Sequence, residues 1–245
     1  MIRKILIMSG KLVFTGICLW YVFHQFSIER LLREAATVNQ AWLVFAAFFA
    51  VVQGPLVGVR WAWINDALEP LPRTPLRSMI IITLIGNFFS QIMPNIMSDA
   101  LRIWLLSRVR PGWARGIISV AIDRGVGVAV LLIIGLAALT NGSALTALSG
   151  YRSVVMIIFG ALLIVGAASL AFAPIYAPIF ARYRATKWIS EFVLASWQVL
   201  VKSPQSMWII GIAFVVHLLS VADIWCLGKA FSMGLSPMMR RCSSH

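Results

Sequence analysis

Charged residues are scarce in this sequence. Only 12% of its 245 residues are Asp, Glu, Lys or Arg, whereas 60% are hydrophobic. Soluble domains contain about 25% charged and about 45–50% apolar residues, so this composition excludes an ordinary globular fold and indicates an integral membrane protein. We therefore expect an all-α polytopic membrane protein that forms a single integral membrane domain over residues 1–245.

Side chains that carry out acid–base, nucleophilic or metal chemistry are also few. The chain has eight acidic residues, three His and three Cys. The positions of Cys18, Cys226 and Cys242 show no paired spacing, which argues against a disulfide framework and a metal site. No nucleophile–base spacing is recognisable in the sequence. We expect no catalytic residue, no metal and no cofactor, and we expect that the protein is not an enzyme.

Basic residues greatly outnumber acidic ones, and the formal net charge is +13. The Lys and Arg residues lie in short stretches between apolar runs, as in loops held at the cytoplasmic surface by the positive-inside rule. Since no soluble basic module is recognisable, a nucleic-acid partner is not expected. The predicted location is the cytoplasmic (inner) membrane of the cell, crossed several times, with the N-terminus in the cytoplasm.

Five apolar stretches are long enough to cross a bilayer core, which requires about 20 residues. The first is interpreted as a retained helix rather than a signal peptide, because no Ala-x-Ala cleavage pattern follows it. The basic segment 177–204 is expected to include a helix that lies on the inner surface. The five predicted spans lie near 5–24, 41–59, 117–139, 153–175 and 206–228.

A sixth apolar stretch, near 78–97, is interrupted by polar residues. Asn87, Ser90 and Gln91 lie in its second half, and Pro94 interrupts a helix that would continue through it. Two interpretations remain open. The stretch is either a Pro-kinked span or a re-entrant segment that enters and leaves the bilayer on the same side, as in the broken helices of transporters.

The distribution of basic residues favours the re-entrant interpretation. With a cytoplasmic N-terminus, a full crossing at 78–97 would leave eight basic residues of 98–116 and 176–205 outside the cell. Re-entry instead returns these residues to the cytoplasm, where Arg60, Arg73 and Arg77 join them. The sequence therefore predicts about five spanning helices and a polar, Pro-broken re-entrant segment.

Charged residues inside membrane segments are the first candidates for function. A charge near the centre of a span costs about 2.5–3.5 kcal/mol on insertion scales and is a functional candidate by default. Asp123 and Arg124 lie inside a predicted span, and neighbouring positions diverge by about 100° around a helix. Each is therefore expected to pair with a different group, such as Asp99 or Arg102. A purely structural ion pair and a substrate contact are both open.

Asp99 and Arg102 are three positions apart, so on a helix they share one face. A helix that begins after Pro94, with Asn95 or Ser98 as its N-cap, would present free backbone N–H groups beside Arg102. The Arg102 guanidinium could then bind the phosphate of an anionic lipid with two parallel hydrogen bonds. The alternative is an interfacial Arg that touches lipid phosphates without specificity.

The residue order resembles a known family, the lysylphosphatidylglycerol synthase transmembrane region, which comprises flippase-like membrane proteins of bacteria and archaea. In the family pattern an Asn precedes a Pro-Gly-x-x-Gly-Asp-x-x-Arg run, and an acidic–Arg pair opens the next span. Asn95 and Ser98 stand here in place of the two glycines. The matching residues are Arg60-Trp61, Asn87, Pro94, Asp99, Arg102 and Asp123-Arg124-Gly125.

The resemblance implies a protein that translocates or otherwise handles a membrane lipid, with anionic phospholipid as its partner. It implies no aminoacyl transfer, because the separate soluble catalytic domain of full-length synthases has no counterpart in this sequence. The lipid-binding candidates are Asn87, Pro94, Asp99, Arg102, Asp123 and Arg124.

Three further expectations follow from the sequence. Arg60, at the end of the second span and next to Trp61, is interpreted as an interfacial anchor. The tail 236–245 does not look like a membrane segment and is interpreted as a truncation or a change of reading frame. The alternatives to lipid transport are an enzyme or accessory subunit of lipid-linked substrate metabolism, and a nonfunctional fragment.

The first testable prediction concerns topology. Residues 98–116 and 177–204 should lie in the cytoplasm and residues 140–152 outside the cell, because this arrangement places most basic residues inside. Single cysteines placed in these segments can be labelled in intact cells with an impermeant reagent. Only the 140–152 site should react. Strong labelling beside Arg110 from outside would contradict the re-entrant arrangement.

Overall fold

The computed structural model describes residues 38–69, 73, 75–140, 150–183 and 186–242, together with residues 16, 17, 20 and 21. Side chains are described as far as Phe231. This described part of the chain is helical and contains no strand, as predicted from composition. The described residues up to Phe48 and from Ala222 onward form one compact unit, and those between Phe49 and Val221 form a second.

Four of the described helices are long and apolar enough to cross a membrane. They correspond to four of the predicted spans, and the predicted span at 5–24 lies almost wholly outside the described residues. No residue of the third of these helices is buried, so its apolar side chains are available to lipid. The four are α1 (Gln40–Leu68), α4 (Trp113–Thr140), α5 (Arg152–Ala171) and the apolar part of α8 (Ser206–Cys242).

Two helix ends differ from the prediction. Helix α1 continues to Leu68 instead of ending near residue 59, so Arg60 and Trp61 lie inside the helix. Helix α5 ends at Ala171 instead of residue 175. A new helix, α6 (Ala173–Ala181), begins there with Pro174 in its first turn, where the missing N–H of proline is tolerated.

The predicted polar break divides the stretch near 78–97 into two short helices. Helix α2 runs from Leu76 to Ser90, and helix α3 runs from Asn95 to Val109 after a turn at 91–94. Each helix has 15 residues and is about 22 Å long, less than the roughly 30 Å of a bilayer core. The break is therefore confirmed, and re-entry stays a prediction.

The start of α3 corrects one expectation. Neither Asn95 nor Ser98 is the N-cap, because Pro94 precedes the first helical residue and no side chain caps the helix. The hydroxyl of Ser98 instead donates a hydrogen bond to the carbonyl oxygen of Asn95 at 2.9 Å.

The segment after α6 contains helix α7 (Lys187–Trp197) and a π-helical turn, Gln198–Lys202, which agrees with the helix predicted in the basic segment 177–204.

Two groups of buried apolar residues hold the second unit together. One joins α1 and α4 to the π-helical turn and α8 through Ile64, Ile122, Val199 and Ile209. The other joins α1 through α4 and is made of Trp61, Ala62, Met79, Ile82, Leu106 and Val120. The second group includes Trp61, whose ring contacts Arg102, one of the charged residues described below.

Helices α1 and α2 approach closely at Gly58. A methyl group on Gly58 would lie 2.7 Å from the Cα atom of Ile80, a backbone atom that cannot move without shifting α2. We predict that Gly58→Ala lowers the free energy of unfolding by about 1–3 kcal/mol, the usual effect of overpacking. Thermal unfolding in detergent would measure it.

Gly125→Ala is the matched control, because a methyl group there meets no described atom within 4 Å. The control should unfold at the temperature of the parent protein. Equal unfolding temperatures for the parent and Gly58→Ala would contradict the close helix contact.

Candidate functional site: a buried arginine–aspartate cluster

The centre of the site is the carboxylate of Asp123, on α4. Its Oδ1 atom accepts a hydrogen bond from Nε of Arg60 at 2.9 Å and lies 2.8 Å from Nη2 of the same guanidinium. The side chains of Arg60 and Asp123 are only 7% and 1% exposed. A buried charge of this kind is tolerated because a partner of opposite sign lies within hydrogen-bond distance.

Arg102, on α3, extends from the other side toward the same carboxylate. Its Nη2 atom lies 3.8 Å from Oδ2 of Asp123, and its guanidinium carbon lies 4.3 Å from the centre of the Trp61 ring. The indole N–H of Trp61 in turn donates to the Ser119 hydroxyl at 3.2 Å. Trp61 is thus held in place by α4 and supports the guanidinium by a cation–π contact.

A glycine on α2 makes room for the Arg102 side chain. A methyl group on Gly86 would lie 2.5 Å from Cγ and 2.7 Å from Cδ of Arg102. Any larger residue would have to displace the arginine. The two short helices of the broken segment therefore pack through Gly86 and Arg102, and this contact fixes the guanidinium inside the protein.

A second carboxylate, Asp99, links Arg102 to Arg124. Nε and Nη2 of Arg124 donate to the two oxygens of Asp99 at 3.1 and 2.6 Å, a two-pronged pairing. Nη1 of Arg102 lies 3.6 Å from Oδ1 of Asp99. The side chains of Arg102, Asp99 and Arg124 are 2%, 20% and 54% exposed, so the cluster opens to its surroundings at Arg124.

The cluster carries an excess of positive charge. Within the described residues it contains three guanidinium groups and two carboxylates, which leaves one positive charge without a counter-charge. Nε and Nη2 of Arg102 are buried and have no hydrogen-bond partner in the described part of the chain. The buried hydroxyl of Thr83 is in the same situation, three positions before Gly86 on α2. Unsatisfied buried N–H groups are costly, so they favour an acceptor.

The structure confirms the pairings predicted from helix geometry. Asp123 and Arg124 are adjacent in sequence and contact different partners, and Arg124 pairs with Asp99 as expected. Asp99 and Arg102 share a face of α3 and interact. The prediction for Arg60 was wrong, because Arg60 is buried and binds Asp123 instead of anchoring the helix at the interface. It is therefore also not a cytoplasmic loop residue.

Asn87 and Pro94 have different surroundings. Both are exposed, and Pro94 lies in the turn between α2 and α3. Nδ2 of Asn87 lies 3.9 Å from where a methyl group on Gly54 would stand, so Asn87 is directed toward α1. Their suggested role in lipid binding stays a prediction.

A separate ion cluster lies where the end of α1 meets the first turn of α4. Glu69 pairs with Arg115, and Arg110 donates to the Glu69 carbonyl oxygen at 3.1 Å. The hydrogen bond from Arg115 lowers the pKa of Glu69, so this carboxyl is ionised at neutral pH. The cluster ties the start of α4 to the end of α1.

Elsewhere, Nε2 of His217 on α8 lies 2.9 Å from the carbonyl oxygen of Gly127 on α4.

Long apolar helices around a paired, buried ion cluster define a multi-pass helical membrane protein with a polar site between its helices. Residues 8–240 match the family model described as "Lysylphosphatidylglycerol synthase TM region". The match covers most of the chain, so the chain belongs to this family, as its motifs predicted. It is accordingly a membrane protein related to lipid handling. Neither a curated protein nor a solved structure matches the chain.

Removal of the central carboxylate tests the cluster. Asp123→Ala leaves Arg60 and Arg102 without their shared partner, so we predict a loss of about 3–5 kcal/mol in the free energy of unfolding. Arg124→Ala should cost less, because Arg124 is half exposed. Folded yield and unfolding temperature in detergent would measure both changes.

Glu191→Gln is the control, since it removes an exposed ion pair with Lys187 on α7. This change should cost about 1 kcal/mol or less. If Asp123→Ala were as stable as Glu191→Gln, the buried cluster would not hold the helices together.

Proposed function

We propose that this protein binds the phosphate of an anionic phospholipid at the Arg60–Asp99–Arg102–Asp123–Arg124 cluster and translocates that lipid in the cytoplasmic membrane. The unbalanced charge and unsatisfied N–H groups of this cluster support the proposal. The cluster has one more guanidinium than carboxylate, and two buried N–H groups of Arg102 have no hydrogen-bond partner among the described residues. A phosphate diester would supply both the missing negative charge and the missing acceptor oxygens.

Access to the cluster is from the side of Arg124. Arg124 is 54% exposed, and Asp99 beside it is 20% exposed, whereas Arg102 lies behind them at 2%. A lipid phosphate would therefore meet Arg124 first and reach Arg102 next. Direct contact between the phosphate and Arg102 requires a movement of Asp99 or of its neighbours.

Translocation, as opposed to simple binding, is supported by the broken segment. Two helices too short to cross a bilayer meet at a turn that ends at Pro94, and one of them carries Arg102. Transporter sites are often built from such discontinuous helices. A headgroup held beside α3 could pass between the two membrane surfaces while its acyl chains stay in lipid.

The chain has few side chains that could take part in catalysis. The sequence has only eight acidic residues and three His, and the acids of the cluster are occupied by ion pairs with arginine. A general base needs an oxygen atom placed to reach a substrate proton, whereas the oxygens of Asp99 and Asp123 face guanidinium groups. The protein is therefore proposed to move or present a lipid without changing its covalent structure. The excess of basic residues in loops supports the cytoplasmic membrane and a cytoplasmic N-terminus.

Arg102→Lys tests the binding part of the proposal. The change keeps the positive charge but replaces the planar guanidinium, which binds phosphate in two directions, with a point charge. Charge-assisted hydrogen bonds contribute about 1.5–3 kcal/mol, so phosphatidylglycerol should be retained about ten- to a hundredfold less well. Native mass spectrometry with this lipid would compare parent and variant.

Arg115→Lys is the matched control, because Arg115 lies in the first turn of α4, is exposed, and pairs with Glu69 instead of with the cluster. It should retain lipid like the parent. Equal retention of phosphatidylglycerol by the parent and Arg102→Lys would leave Arg102 with a structural role only.

A further inference from the structure

The carboxylate of Asp99 lies between two guanidinium groups. Its Oδ1 atom is 2.6 Å from Nη2 of Arg124 and 3.6 Å from Nη1 of Arg102, and its Oδ2 atom accepts from Nε of Arg124 at 3.1 Å. Guanidinium groups bind carboxylate and phosphate with the same two-pronged geometry. Asp99 thus has the position that one phosphate would take between Arg102 and Arg124.

We propose that Asp99 is a built-in competitor that occupies the phosphate position of the empty site and that lipid phosphate displaces it. This inference rests on the proposed function, because it assumes that an anionic headgroup binds at the cluster. Asp99 then regulates the site. It pairs with Arg124 while no lipid is bound, and it raises the concentration of lipid needed to fill the site.

Asp99, and not Asp123, is the carboxylate that can leave. Asp123 is 1% exposed, and breaking its pair with Arg60 would leave a buried charge unpaired. Asp99 is 20% exposed and its main partner, Arg124, is 54% exposed. The Asp99–Arg124 pair is thus less enclosed than the Arg60–Asp123 pair, so its carboxylate can turn away without leaving a fully buried charge unpaired.

The charges balance after the exchange. In the empty cluster, two of the three guanidinium charges are neutralised by Asp99 and Asp123. A phosphate diester adds one negative charge, and Asp99 keeps its own charge when it turns toward the open side. The occupied site is then neutral, with the phosphate between Arg102 and Arg124 and the Arg60–Asp123 pair unchanged.

Selectivity for anionic lipids follows from this exchange. A phosphate must compete with an internal carboxylate for Arg124, so a headgroup whose own ammonium group neutralises the phosphate is at a disadvantage. Phosphatidylglycerol offers a phosphate without such a group, whereas phosphatidylcholine does not. Removal of the competitor should therefore raise retention of phosphatidylglycerol.

Asp99→Asn tests the inference, because it keeps the size of the side chain and removes its charge. Retention of phosphatidylglycerol in native mass spectrometry should rise about tenfold. Loss of one charge-assisted hydrogen bond weakens binding by about this factor, and removal of the competing carboxylate should strengthen it by the same factor. The control is Glu69→Gln. Glu69 also faces two arginines, Arg110 and Arg115, but lies outside the spans, so its loss should leave retention unchanged.

The outcomes separate this inference from the proposed function. If the parent protein retains phosphatidylglycerol no better than phosphatidylcholine, the proposed function fails and this inference fails with it. If the parent is selective but Asp99→Asn shows no gain, the competitor role alone is wrong. An equal gain in Glu69→Gln would also overturn it, because the effect would then come from overall charge.

A second measurement uses the unmodified protein and does not depend on the folding of a variant. An apolar carbodiimide modifies carboxyl groups in membranes, and mass spectrometry of the peptides locates the modified residue. Modification of Asp99 should increase when phosphatidylglycerol vesicles replace phosphatidylcholine vesicles, because the displaced carboxyl loses Arg124. Modification that stays constant or falls would overturn the proposal.

Discussion

A carboxylate buried between two guanidinium groups is stable only while both of them stay in place, and Asp123 is in this position between Arg60 and Arg102. The constraint ties three helices together, because Arg60 is on α1, Arg102 on α3 and Asp123 on α4. Hydrophobic packing has little directional preference in lipid, where side chains leave one apolar medium for another. Charge pairing therefore specifies how these helices meet, and the buried apolar residues around Trp61 and Leu106 pack the same helices together.

The same charge pairing accounts for the break between α2 and α3. Arg102 must reach Asp123 from α3, and Gly86 on α2 leaves space for the stem of its side chain. The turn at 91–94 allows α2 and α3 to pack against each other through this contact. Asp123 pairs with two arginines, and Asp99 pairs with Arg124. The cluster therefore has three positive and two negative charges, an excess of one positive charge. A purely structural cluster gains nothing from such an excess, whereas an anion-binding site requires it.

The sequence predicted the long helices well, because an apolar stretch of about 20 residues has the length that a helix needs to cross a bilayer core. It also predicted that Asp123 and Arg124 pair in different directions and that Asp99 faces Arg102, since the angular spacing of a helix determines both. It failed at Arg60. The apolar run ends near residue 59, so the arginine and the adjacent tryptophan resembled an interfacial anchor, although α1 continues to Leu68. Only the partner on α4, 63 positions away, makes Arg60 a buried residue, and no local pattern encodes that contact. The predicted helix cap was wrong for a different, local reason, because Ser98 bonds to the Asn95 carbonyl of its own turn.

The open side of this cluster, between Arg102 and Arg124, is the proposed binding site for a lipid phosphate. Electron cryo-microscopy of the protein in nanodiscs of phosphatidylglycerol tests it most directly. We expect density for a phosphate within hydrogen-bond distance of both guanidinium groups, with Asp99 turned away and the Arg60–Asp123 pair intact. Contradiction would come from an undisturbed Asp99–Arg124 pair, with all lipid headgroups at the membrane surfaces and none at the cluster.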